Sequence, residues 1–293
     1  MRQILSMIGN RVYLLITVFA LTSSISVGQQ YAVDLFAGTS NYQGDMMEKR
    51  YSMRNSKMVL GFGGSYIFNG HFRVRGLISL AKLGANDQYA TDPLLVARNL
   101  NFSTSLTEFS LTAHYDILDL DYFKFTPYLF GGIAVFHFNP YTNDSVYGKV
   151  FLKPLSTEGQ GLALYPDRKP YSLTQISFPI GAGIRFRVND NIAIAWEVGL
   201  RKTNTDYLDD LSTAYVDQAY LLSQKGQVAV DLAYRGDEVK NNPGVYPADG
   251  TIRGGPNFKD WYYFSGVTAT FKVNAGKGAR DAMRGSTGCP KGF

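Results

Sequence analysis

Cysteine is almost missing from this chain of 293 residues: Cys289 is the only one. A framework of internal disulfides is excluded, and with no thiol just after the apolar N-terminal stretch, so is a lipid anchor built on cysteine. Histidine is nearly as scarce, with His71, His114 and His137 alone. Long apolar runs are absent too. The longest, residues 12–21, is about ten residues, where a membrane-crossing helix needs about 18 or more. Neither sign of charge dominates, since 29 Lys and Arg stand against 24 Asp and Glu for a net +5. The basic residues are scattered rather than gathered, which argues against nucleic acid as a partner.

What is plentiful is aromatic residues, 20 Tyr and 19 Phe, together with 30 Gly. That mixture suits strands, aromatic girdles and tight turns better than helices. The clearest stretch is 173–201. Thr174, Ile176, Phe178, Ile180, Ala182, Ile184, Phe186 and Val188 alternate with Gln175, Ser177, Pro179, Gly181, Gly183, Arg185 and Arg187. After Asn189-Asp190-Asn191 the alternation resumes, with Ile192, Ile194, Trp196, Val198 and Leu200 on the apolar face. This is a hairpin of unusually long arms, apolar on one face and polar on the other. Such a face needs something continuous to lie against, and a bilayer supplies it.

The same period recurs along the chain and predicts eight strands, near residues 30–38, 58–68, 72–81, 108–115, 126–138, 174–188, 192–201 and 260–273. The strand at 126–138 is apolar on both faces, so its orientation stays open. The links after strands two, four and six are short and those after one, three, five and seven are long. An outer-membrane barrel sorts its links this way, with short periplasmic turns and long extracellular loops. The expected fold is therefore all-β: an eight-stranded antiparallel transmembrane β-barrel of the cell outer membrane. Before it, residues 1–28 read as a signal peptide, with Arg2 and Arg11, an apolar core and a small-residue cleavage site at Ser26-Val27-Gly28. Loss of its two arginines leaves the mature chain at +3. Residues 29–273 form the barrel, and 274–293 a Gly-rich basic periplasmic tail. Within the last long loop, residues 214–225 are predicted to form a short helix stopped by Gly226.

By strand parity Asp34, Arg73, Arg75, Glu108, His114, Arg185, Arg187, Glu197 and Arg201 point into the lumen. They either select solutes or neutralise one another in a plug. A barrel of eight strands is filled by its own side chains, and buried charges persist only when paired, which favours the plug. In the outer loops Glu158, Asp206, Asp209 and Asp210 gather carboxylates that are candidates for contact with a partner. Their spacing matches no calcium loop, and neither a metal nor a cofactor is expected. His137, at the outer end of strand five, is the one histidine placed for catalysis on lipid. No nucleophile motif accompanies it, so the chain reads as non-catalytic, with a lipid acyltransferase or hydrolase, or a small-solute pore, as alternatives.

Four strings go further than periodicity. They are Pro127-Tyr128-Leu129-Phe130-Gly131-Gly132 running on to Phe138-Asn139-Pro140, Leu155-Ser156-Thr157-Glu158-Gly159-Gln160-Gly161, Thr205-Asp206-Tyr207-Leu208-Asp209-Asp210-Leu211-Ser212-Thr213, and Asp260-Trp261-Tyr262-Tyr263-Phe264. In these the chain resembles the PorG family over nearly its whole mature length. The resemblance implies an integral outer-membrane barrel of the type IX secretion system of Bacteroidota, associated with a periplasmic ring of PorK- and PorN-like proteins. Cys289, alone in an exported chain and placed by parity in the periplasm, is a candidate for an intermolecular disulfide.

Overall fold

The computed structural model describes residues 30–47, 53–255 and 259–273. Nine strands form: β1 (Gln30–Gln43), β2 (Lys57–Ile67), β3 (Phe72–Asn86), β4 (Asn101–Asp116), β5 (Phe125–Asp144), β6 (Gly148–Phe151), β7 (Thr174–Arg187), β8 (Ile192–Thr203) and β9 (Trp261–Val273). Every pairing is antiparallel, and except at β6 neighbours in sequence are neighbours in the sheet. The short β6 is a return strand hung on the outer end of β5, while lower down β5 pairs with β7. Because β9 pairs back onto β1 and β4 with β5, eight strands close into a barrel.

The register fixes the dimensions. From Ala37, paired residues lead through Leu60 and Leu80 to Thr107 on β4. In the other direction they lead through Val267, Trp196, Ile184 and Pro127 to Ile117, whose N–H donates to the Pro127 carbonyl. The ring thus closes with a stagger of ten residues. With ordinary strand spacings this means strands tilted by about 40° and a backbone radius of roughly 8 Å, which leaves room for side chains and little else.

Both short hairpins are made by the same device. Asn69 Oδ1 accepts from the N–H groups of His71 and Phe72, and Asn189 Oδ1 from those of Asn191 and Ile192, each at 2.9 Å. These links, 68–71 and 188–191, lie at one end with 117–124. The long links, 44–56, 87–100, 145–173 and 204–260, lie at the other. Outward residues are apolar all the way round. Phe62 is 61% exposed, Ile180 60% and Trp196 52%, and nothing among the described residues covers this band. In water so much bare apolar surface is untenable, whereas in a bilayer it is the lipid-facing surface of a barrel of the outer membrane.

Strand five acquires its orientation from its neighbour. Tyr128, Phe130, Phe136 and Phe138 point inward and are buried, while Leu129, Ile133 and Val135 face lipid. The Tyr128 and Phe130 rings occupy space that a Cβ at Gly183 or Gly181 of β7 would fill, so those glycines make the aromatic lumen possible. Two residue pairs of this ladder, opposite Phe178 and Pro179, are not bridged, as expected where a proline lacks its N–H. Several strands run beyond their predicted ends, with β4 starting back at Asn101 and β5 running on to Asp144. There they carry a dome of loops containing α1 (Pro93–Arg98), α2 (Gln218–Lys225) and α3 (Gln227–Ala233). The helix predicted from 214 begins at Gln218. Asp217 caps it by accepting from the Tyr220 N–H at 2.7 Å, and Ala214 is held in a β-bridge with Ile252. Gly226, at φ 82°, ends it as predicted.

Candidate functional site

Inside the barrel the inward charges meet in pairs. Arg75 grips Glu197 through both guanidinium nitrogens, at 2.7 and 2.9 Å, and the Tyr128 hydroxyl donates to the same carboxylate at 2.6 Å. Asp116 takes Arg73 at 2.9 Å on one oxygen and Arg185 on the other. Arg201 reaches Glu108 at 3.4 Å, and Tyr262 donates to that carboxylate at 2.6 Å. Asp34 accepts from Ser65 and from Thr270, the latter at 2.6 Å. Four arginines therefore stand against four carboxylates, all buried. Arginine planes also lie on rings, Arg185 4.1 Å from the Tyr128 centroid and Arg201 4.0 Å from that of Phe264. His114 stacks on Tyr128 and Phe130. The arrangement is a plug, in which each arginine holds a carboxylate and Asp34 is held by the hydroxyls of neighbouring strands.

Two lumen assignments are corrected. Arg187 does not join the cluster. It is half-buried at the periplasmic rim, where it donates to the Asp121 carbonyl at 3.0 Å. Asp116, which the sequence leaves in a turn, is the hub for two arginines, because β4 extends one residue past Tyr115 before turning.

Above the plug the outer loops seal the mouth. Leu208 and Leu211 drop into an apolar cluster with Phe36, Leu83, Phe102, Leu106, Phe136, Phe138 and Phe264, so the 205–213 segment is a stopper rather than an exposed loop. Its carboxylates are inside as well, which overturns the expectation that they face a partner. Glu158 accepts from the N–H groups of Ser212 at 3.0 Å and Thr213 at 2.9 Å, from the Thr213 hydroxyl at 2.7 Å and from Arg253 at 3.1 Å. Asp210 accepts from Thr157 at 2.6 Å and Tyr171 at 2.7 Å. Asp206 accepts from Ser212 at 2.8 Å. Asp209 accepts from Tyr42 at 2.5 Å and from the Leu211 N–H at 3.0 Å. Burial pushes the carboxyls of Asp206 and Asp210 up to about 6, and drives that of Asp209 well above the usual range. Loop carboxylates serve here as acceptors for backbone groups that the loops would otherwise leave unpaired.

Asp45, Asp87 and Asp260 add three more acids near the dome's centre. Its two central arginines, Arg98 and Arg253, are already engaged by Asp87 and Glu158. Among the described residues no group of three His, Cys, Asp or Glu is disposed to hold a metal ion. His137 faces outward near the rim with Nδ1 3.0 Å from the Thr174 hydroxyl, a cross-strand pair with no carboxylate among its hydrogen-bond partners. Cys289, the signal stretch and the tail lie outside the described residues.

Together these features define a closed, plugged and capped outer-membrane β-barrel. The chain belongs to the family described as Domain of unknown function (DUF6089), whose model matches residues 10–234. No curated protein matches it. Solved structures similar to it include Neisserial surface protein A, at 10% identity and a TM-score of 0.42, and the attachment invasion locus protein Ail of Yersinia pestis, at 10% and 0.40. A major outer membrane protein of Thermus thermophilus is similar at 12% and 0.37. In each comparison 84% of this chain and all of the other are covered. At these scores the likeness adds nothing to what the closed ladder already establishes.

Proposed function

We propose that this chain is a non-catalytic barrel subunit of a protein-export machine of the type IX kind, seated on a periplasmic ring of PorK- and PorN-like proteins. The observation that supports it most is the double closure. Among the described residues the lumen is filled by ion pairs and the mouth by Leu208 and Leu211, an arrangement that favours a partner-binding role at the two ends over passage of solutes. A second support is that the strings carrying the PorG resemblance meet in space: 155–161 binds 205–213 through Glu158 and Thr157, and 205–213 binds Asp260. The signal peptide at 1–28 and the tail at 274–293, with Cys289 linked to a ring component, belong to the same proposal.

Affinity purification of the full chain from crosslinked outer membranes tests it. Ring proteins co-purify, and deletion of the chain stops export of secreted cargo. A reductant-sensitive heavier band on non-reducing gels, absent in Cys289→Ser, marks the disulfide. Conductance steps in a planar bilayer with no ring protein recovered would replace this reading with a pore.

A further inference from the structure

We propose that a single proton shared by Asp260, Tyr42 and Asp209 latches the 205–213 segment over the barrel mouth, making it a lid that tightens in mild acid and loosens in alkali. The geometry asks for that proton. The Tyr42 hydroxyl lies 2.5 Å from Asp209 Oδ2 and 3.3 Å from Asp260 Oδ1, yet it has one hydrogen to donate. The other oxygen of each carboxylate is already used, Asp209 Oδ1 by the Leu211 N–H at 3.0 Å and Asp260 Oδ2 by the Leu208 N–H at 2.9 Å. Two ionised carboxylates on one phenol leave the second contact as lone pair against lone pair. A proton on Asp260 resolves it, giving a chain in which Asp260 donates to Tyr42 and Tyr42 to Asp209.

Nothing nearby substitutes for the proton. From the end of β1 the pair faces Tyr42 and Asp45, from α1 it faces Arg98, and from its own loop Asp206, with Lys259 beside Asp206. Arg235 and Arg253 line, with Asp209, a cavity of about 10 Å³. Each of these three arginines is taken: Arg98 by Asp87, Arg253 by Glu158, Arg235 by Asp144 and Glu238. Gly44 packs so closely on Asp260 and the Tyr42 hydroxyl that even a Cβ has no room there. Burial raises both carboxyls well above the usual range, with repulsion from Asp45 adding to it at Asp209 and repulsion from Asp209 adding to it at Asp260, in keeping with the shared proton.

The mechanical consequence follows from where the three residues sit. Tyr42 is on β1 and Asp260 abuts β9, both fixed in the wall, while Asp209 lies on the stopper between Leu208 and Leu211. In the opened lid the carboxyls return to the solvent value near 4, so the closed form holds more protons than the open form above that pH. Closing is therefore strongest at about pH 4 and below, and weakens until pH has risen through the raised value of the pair.

The test is amide exchange on the full chain in detergent micelles with EDTA, read as protection factors corrected for the intrinsic pH dependence. We expect protection across 204–213 to fall at least tenfold between pH 5 and pH 9 while the strand amides of β3 and β4 keep theirs. Asp260→Asn, neutral at every pH, flattens the dependence above about pH 7, where Asp206 and Asp210 have already titrated. If that variant fails to give a heat-modifiable barrel, Asp209→Asn carries the same expectation. Unchanged protection in the natural chain, or a slope above about pH 7, past the titration of Asp206 and Asp210, surviving in the Asn variant, overturns the latch, as does full recovery at pH 9 on adding calcium alone.

Discussion

The lumen and the dome bury charge in opposite ways. In the lumen Arg73, Arg75, Arg185 and Arg201 balance Asp34, Glu108, Asp116 and Glu197. In the dome Asp45, Asp87, Glu158, Asp206, Asp209, Asp210 and Asp260 gather around Arg98 and Arg253, while the third buried arginine, Arg235, is held by Asp144 and Glu238. The wall of a barrel satisfies its own backbone, so lumen side chains are free to pair with one another. Loops have no ladder, and their carboxylates are consumed in satisfying N–H and hydroxyl groups. One region balances arginine against carboxylate; the other gathers buried carboxyls whose pKa values are raised.

The largest effect should come from unbalancing the lumen. Glu197→Gln leaves the Arg75 guanidinium without its counter-charge and should cost about 3–5 kcal/mol, seen as an earlier thermal conversion of the compact gel species. Replacing both partners, Arg75→Met with Glu197→Leu, should recover most of it. A neutral single variant would mean that the pair does not hold the plug.

Next, Glu158→Ala should open the dome without opening the barrel. It strands two N–H groups and the Arg253 charge, about 2–4 kcal/mol of local stability. Cleavage by added protease within 204–260 should rise at least tenfold while heat modifiability persists. Loss of the compact species together with the dome would erase the distinction between the two regions.

A third effect separates the regions by pH. With its carboxyl pushed up to about 6, Asp210 binds a proton in the closed dome that it releases, near pH 4, in the open one. Dome stability should fall by about 2–3 kcal/mol as pH rises from about 4 to 6, and change no further on its account. Asp210→Asn should remove that part of the slope in loop proteolysis. Smallest of all, His137→Ala should shift stability by less than ~0.5 kcal/mol and leave the outer-membrane lipid profile unaltered. An altered profile would reopen the enzymatic reading.

Most of the wall was legible in sequence because period two survives any tertiary context. Leu60, Phe109 and Ile180 face lipid, and Arg75, Glu108 and Glu197 face in, as alternation requires. Strand five was opaque because Tyr128, Phe130, Phe136 and Phe138 make its inner face as apolar as its outer one. The signal was across the sheet, in Gly181 and Gly183, which leave the space that Tyr128 and Phe130 fill. The dome was misread for a different reason. Whether Asp209 is bare or buried depends on Tyr42 and Asp260, residues 167 and 51 positions away, and no local pattern records that closure. A hint did exist in Glu158, set before Gly159 and Gly161, both at φ 77°, a backbone path shaped to fold inward rather than to project.

The seam between β1 and β9 joins the two ends of the described wall, bringing Tyr31 opposite Val273. Contacts this far apart along a chain are the slowest kind to form, and none of this ladder exists until the last strand has been made. Tyr42 meets Asp260 across the same seam, so the lid cannot fasten before the ring is complete. During biogenesis the dome is thus a record of completion. A chain in transit, or one stalled with its final strand unplaced, keeps the 204–260 loop open to periplasmic proteases, while a finished barrel withdraws it at the outer surface.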